Sequence, residues 1–181
     1  DGLNLSLNGF NVYVDFAGTS VNLAGSGSSA VNNFVLSSTG NLNSGTFGSV
    51  TADALNLSAG GTMTLLSSLT GTSTIDLTAD GTISNDTGVV TGLISGGALT
   101  ATSTNGNIAT NGDRLHTAVT SASLTALNGG VHLSNTGNLI MLASTAQGMV
   151  CVDTLDTSTV GGAITINGAI SGNEISFEAI T

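Results

Sequence analysis

The sequence predicts an all-β chain wound as a parallel β-helix (β-solenoid), with about 20–25 residues in each coil. Three observations lead there. Apolar residues alternate with polar ones at period two, and no stretch carries the i, i+3, i+4, i+7 spacing of an amphipathic helix. Proline is absent, and Gly, Asn, Asp and Ser punctuate the short apolar runs, which is turn chemistry between strands. The third observation is self-similarity. Leu55-Asn-Leu-Ser-Ala-Gly-Gly-Thr-Met63 aligns without a gap to Ile75-Asp-Leu-Thr-Ala-Asp-Gly-Thr-Ile83, at an offset of 20. A unit of that length made only of short strands cannot bury its own apolar face, so it stacks on its neighbours.

The elements follow in order. Leu3, Leu5 and Leu7 mark a first strand, and Phe10, Val12, Val14 and Phe16 a second. Residues 1–50 are the less regular part, with loops expected at Ser26–Ser29 and Ser37–Asn41. Segment 10–16 holds the bulkiest side chains and reads as an edge or junction coil, with no linker to set it apart as a domain. Leu55/Leu57, Met63/Leu65 and Ile75/Leu77 continue the alternation. Leu99-Thr-Ala101 recurs as Leu124-Thr-Ala126 at an offset of 25. Each is followed by Asn-Gly and then an aliphatic residue, at Asn105-Gly-Asn-Ile108 and Asn128-Gly-Gly-Val131. Val131/Leu133, Ile164/Ile166 and a strand-like Glu174–Thr181 complete the series. About seven to nine coils at roughly 4.8 Å each make a rod on the order of 35–45 Å long. Residues 1–181 thus form one β-helix segment. The chain starts at Asp1 and reads as a piece of a longer polypeptide. The competing fold is a β-sandwich. The gapless repeat and the lack of proline favour the solenoid.

Composition excludes several functions. Thr (27), Ser (23), Asn (18) and Gly (26) dominate, yet 40% of residues are apolar, enough for a core. The one basic side chain is Arg114, against nine Asp and two Glu, for a net charge of −10. Nucleic-acid binding needs Lys or Arg to displace counterions, and attraction to an anionic membrane surface needs a basic patch. Neither is expected, and the acidity serves solubility. No apolar run approaches the roughly 20 residues that span a bilayer, so no membrane insertion is expected. The single Cys151 excludes an intrachain disulfide and, within Met149-Val-Cys-Val152, reads as a small buried hydrophobe.

From about residue 55 to the end, the chain resembles the repeat region of large bacterial exoproteins of the filamentous-haemagglutinin type. The residues that carry this are Gly88-Val-Val-Thr-Gly92, Gly97-Ala-Leu-Thr-Ala101 and Asn105-Gly-Asn-Ile-Ala-Thr110. They continue as Leu115-His-Thr-Ala-Val119, Leu124-Thr-Ala126 and Val131-His-Leu-Ser-Asn-Thr-Gly137. The resemblance implies a right-handed, extracellular β-helix in the shaft of a secreted or surface-anchored adhesin, serving adhesion, cell aggregation or fibre formation. One departure stands out. That family's secretion domain carries an Asn-Pro-Asn-Gly-like motif, and this chain has no proline. The chain thus resembles shaft, not export signal. Expected partners are neighbouring coils or copies stacked end to end, and a glycan or cell-surface ligand.

No catalytic, cofactor-binding or metal-binding residue is singled out, and each candidate has a plainer reading. Arg114 beside Asp113 reads as a surface turn with a local ion pair worth little. The carboxylate pairs Asp76/Asp80 and Asp153/Asp156 are the nearest approach to a hydrolase site. However, Asp76 lies between inward Ile75 and Leu77, and Asn56 and Ser58 one coil away add no second acid. Asp80–Asp86 lacks the spacing of a calcium loop. His116 and His132 read as exposed strand residues, near neighbours on adjacent coils, and two imidazoles alone make a poor zinc site. The pairs Thr62/Thr64, Thr72/Thr74, Thr100/Thr102/Thr104 and Thr157/Thr159 have the Thr-x-Thr spacing of ice-binding solenoids, but do not recur at one coil position. Sequons occur at Asn4, Asn56 and Asn85. The reading is a non-enzymatic structural module. A polysaccharide-degrading β-helix enzyme and an ice- or surface-binding solenoid are the alternatives.

Overall fold

A computed structural model describes residues 2–5, 7–23, 27–44, 49–85, 93–155 and 162–179. Among them every regular element is a β-strand and none is a helix. Each of the first five coils is a short strand followed by a long one. These pairs are β1 (Gly2–Leu5) with β2 (Asn8–Phe16), and β3 (Ser20–Leu23) with β4 (Ser28–Ser38). Next come β5 (Asn41–Asn43) with β6 (Val50–Ala59), β7 (Met63–Leu65) with β8 (Leu69–Ala79), and β9 (Ile83–Asn85) with β10 (Ile94–Ser103). Then follow β11 (Leu115–Ala126), β12 (Val131–Thr136), β13 (Leu139–Met141) and β14 (Ser144–Ala146). The last are β15 (Met149–Leu155), β16 (Ile164–Ile166), β17 (Ile170–Ser171) and β18 (Glu174–Ala179). All ladders between named strands are parallel, and the short strands β1-β3-β5-β7-β9 form a sheet of their own. The long strands stack as β2-β4-β6-β8-β10-β11-β12-β15-β18, a path nine strands deep. The chain is therefore a β-solenoid, and its depth agrees with the expected seven to nine coils.

The register lays one inward residue of each coil on the next. One column runs Val21, Leu42, Met63, Ile83, Ile108, Val131, Val150, Ile175. A second runs Val12, Phe34, Leu55, Ile75, Leu99, Ala122, Met141, Ile166. Up to the last position of each, these side chains are buried. Full burial of one such aliphatic contributes about 1.5–3 kcal/mol. A third column, Ser38-Ala59-Ala79-Ser103-Ala126-Ala146, is small throughout. It stands at the ends of the long strands, where the coil turns.

The aligned pair Leu55–Met63 and Ile75–Ile83 lies in register as the repeat predicts, Leu55 on Ile75 and Met63 on Ile83. The alignment of Leu99 with Leu124 is corrected by two positions. Leu99 pairs with Ala122 and Ala101 with Leu124, whereas Asn105–Ile108 does match Asn128–Val131. A shift of two keeps every side chain on its face, so composition tolerates it. Ser28, Ser29, Ser37 and Ser38, expected in loops, lie within β4, because the parallel strands on either side extend over them. Phe10, expected inward with Val12, Val14 and Phe16, is 66% exposed. The ladder between β2 and β4 slips between Gly9 and Asn11, and this bulge breaks the alternation there.

Above β11 the long strand breaks into β12, β13 and β14, and two polar side chains bridge the breaks. Asn135 is fully buried; its Oδ1 accepts from Thr117 Oγ1 (2.8 Å) and from the Val119 amide (2.9 Å). Ser144 Oγ accepts from the Leu124 amide (3.0 Å). Each side chain takes the place of a backbone partner, so the chain turns there without orphaning a buried amide. At the turns, Asn and Asp side chains stack into a hydrogen-bonded ladder. Asn105 donates to Asp80 (2.8 Å) and Asn128 donates to Asn105 (3.0 Å).

Candidate functional site

Chemistry-bearing side chains are scarce in this sequence, and the coils gather several of them on one face. His116 opposes Ser134, Ser134 opposes Asp153, and Asp153 opposes Glu178. Earlier along the same strands, His132 opposes Cys151 and Cys151 opposes Ser176. Arg114, just before β11, donates through Nη1 to Asp153 Oδ2, reaching past the coil between them. Its backbone carbonyl accepts from Asn85 Nδ2 (2.7 Å).

Several expectations are corrected here. Arg114 pairs with Asp153, far along the chain, and not with Asp113. The two side chains are only 22% and 11% exposed, so this is not a loose surface contact. Asp113 instead makes a backbone turn with Thr110. The two histidines are half-buried and not exposed; they stand diagonally on adjacent strands, since the β11–β12 register sets His116 against Ser134, two residues beyond His132. Cys151 is buried, as expected. Sequence reasoning could not see this cluster, because it depends on coil lengths that vary.

The electrostatics follow from the packing. Burial lowers the His132 pKa below the usual 6.5, and the nearby Arg114 guanidinium adds to the shift. Among the described residues, the buried side-chain polar atoms without a hydrogen-bond partner are Asn85 Oδ1, His132 Nδ1, Ser134 Oγ and Asp153 Oδ1. All four belong to residues that touch Arg114, oppose its partner or lie beside it. No group of three or more His, Cys, Asp or Glu side chains among the described residues is placed to hold a metal ion.

The carboxylate candidates are dispersed. Asp76 points outward between buried Ile75 and Leu77, with Asn56 below and Thr100 above. Asp80 is taken up by Asn105. Asp86, Asp156, Thr157 and Thr159 lie outside the described residues. Asp53 sits at a bulge and accepts from Thr72 (2.7 Å) and Ser73 (2.6 Å). The Ser73 hydroxyl, then that of Thr72, holds its pKa below 3.8.

A second regularity escaped the sequence. Among the described residues the named Thr-x-Thr pairs do fall at different coil positions, but single hydroxyls recur at one. Ser37, Ser58, Thr78, Thr102, Thr125, Thr145 and Ser171 form one outward column along the long-strand sheet. Comparison of the chain with protein-family models, curated proteins and solved structures finds no match.

Proposed function

We propose that the chain is a structural module: a shaft segment of a secreted or surface-anchored bacterial adhesin or fibre. It would act outside the cell, supporting adhesion, cell aggregation or filament formation. The observation that carries this is the pair of inward columns. They pass from coil to coil without a change of face, and at the last positions Ile166 and Ile175 are 50% and 45% exposed. These side chains, with the open edges of β16 and β18, suit a further coil of the same kind, whether from the same polypeptide or from a copy stacked end to end. A core assembled by repetition is long and stiff, with its backbone amides held in ladders, and the shaft of an adhesin needs those properties. The polar outer faces suit contact with a glycan or cell-surface ligand. The resemblance to filamentous-haemagglutinin-type repeats agrees with this reading.

A polysaccharide-cleaving site has less behind it, since Asp153 is tied to Arg114 and Asp76 stands without a second carboxylate. The test is electron microscopy of the native parent material on and around cells, with this segment located by antibody. Thin filaments labelled along their length are expected. Compact particles would overturn the reading, and polysaccharide cleavage abolished by Asp153→Asn would replace it.

A further inference from the structure

We infer that the outer face of the long-strand sheet, along the later halves of β2 to β11 and across β13, β14, β16 and β17, docks laterally on the same face of a second copy of this solenoid. This rests on the shaft reading and adds to it the way in which shafts bundle.

The first observation is the hydroxyl column from Ser37 to Ser171. Its side chains make no hydrogen bond within the described chain, although other hydroxyls are engaged: Thr62 with Asn41, Thr72 with Asp53, Thr117 with Asn135 and Thr154 with Gly162. A hydroxyl both donates and accepts, so a column of them is self-complementary, as an interface between two identical patches must be. The second is period. The column repeats at the strand spacing of about 4.8 Å, and another copy repeats at that same spacing, so partners can meet at every rung.

The third observation is charge. The chain carries a net −10, yet among the described residues of this face only Asp15 and Asp76 are charged, with Asp53 at its margin beside Ala54. Two copies therefore meet here with little like-charge repulsion. The fourth is apolar exposure. Tyr13 and Ile140 stand on this face, 66% and 41% exposed, near its two ends. Exposed apolar side chains rimmed by polar ones mark interaction surfaces. Eight rungs by roughly four residues cover about 500 Å² per partner. The total of about 1,000 Å² lies at the lower limit of a specific interface. One pair of segments associates weakly, and a longer shaft multiplies the contact.

The test compares the wild-type chain with T102E/T125E, which adds like charge to the column, and with T64E/S84E, which adds equal charge to the short-strand sheet. Circular dichroism checks that each is folded. Bead clustering and sedimentation velocity read the association. The expected result is concentration-dependent self-association, weakened at least about tenfold by T102E/T125E and unchanged by T64E/S84E. No self-association, or equal weakening by both variants, would overturn the inference. So would thermal hysteresis abolished by T102E/T125E, which would assign the face to ice. Antibody-labelled filaments on cells without bead clustering would retain the shaft reading and reject this one.

Discussion

Replacing Arg114 by leucine removes the chain's only Arg or Lys side chain and strands a carboxylate. Asp153 is 7% exposed as a residue, its Oδ1 already has no partner, and its Oδ2 is held by Arg114. Breaking a buried pair by removing one partner costs about 3–5 kcal/mol. The guanidinium side chain is 22% exposed, and solvent screening reduces the effect to about 2–4 kcal/mol. The double variant R114L/D153L leaves no stranded charge and should lie within about 1 kcal/mol of wild type. Urea unfolding followed by circular dichroism measures both. Hydrogen exchange locates the damage. Coils of a solenoid lean on their nearest neighbours, so amides of 131–154 should lose protection in R114L while those of 50–79 keep theirs. An R114L chain within about 0.5 kcal/mol of wild type, a double variant no more stable than R114L, or uniform loss of protection would each refute the reasoning.

Ile75→Ala, in the fully buried column between Leu55 and Leu99, should cost about 2–5 kcal/mol in urea unfolding, while Thr78→Ala on the outer face should stay within about 0.5 kcal/mol. Gly96→Ala should destabilise the chain by more than about 1 kcal/mol, because Gly96 has φ +136° and a Cβ there would collide with the Gly71 carbonyl. His132 holds its pKa below 6.5 in the fold, so the unfolded chain takes up its proton first; stability should fall as the pH drops below about 6.5. His132→Gln should flatten that slope between about pH 7 and 5, as read by melting temperature against pH. Cys151 should react with a thiol reagent only at the rate of unfolding, because it is 4% exposed.

The architecture was legible in the sequence because its causes are local and repeated. Alternation at Leu55/Leu57 and Ile75/Leu77 assigned each side chain to a face. The gapless match of Leu55–Met63 to Ile75–Ile83 set the coil length there, since stacking rewards identical residues at identical positions. Asp80, Asn105 and Asn128 were readable as turn residues, and they do stack. Phe10 was misplaced because a bulge at Gly9 to Asn11 leaves no mark on an alternating pattern.

What lies between coils was not legible in the same way. By itself the sequence determined the fold class, the inward faces and a chain without the cations for nucleic acid. Outside those matching repeats, only the tertiary structure decided which residue sits on which. Coil offsets vary along the described ladders, short where Leu115 meets Leu133 and long where Ser144 meets Ile170. Each offset is the sum of bulges, turns and side-chain substitutions such as Asn135 and Ser144. That sum brought Arg114 to Asp153 and lined up Thr78, Thr102, Thr125 and Thr145. A period of two is fixed by the pleat of each strand alone. A register between strands is fixed by everything the chain does on the way round.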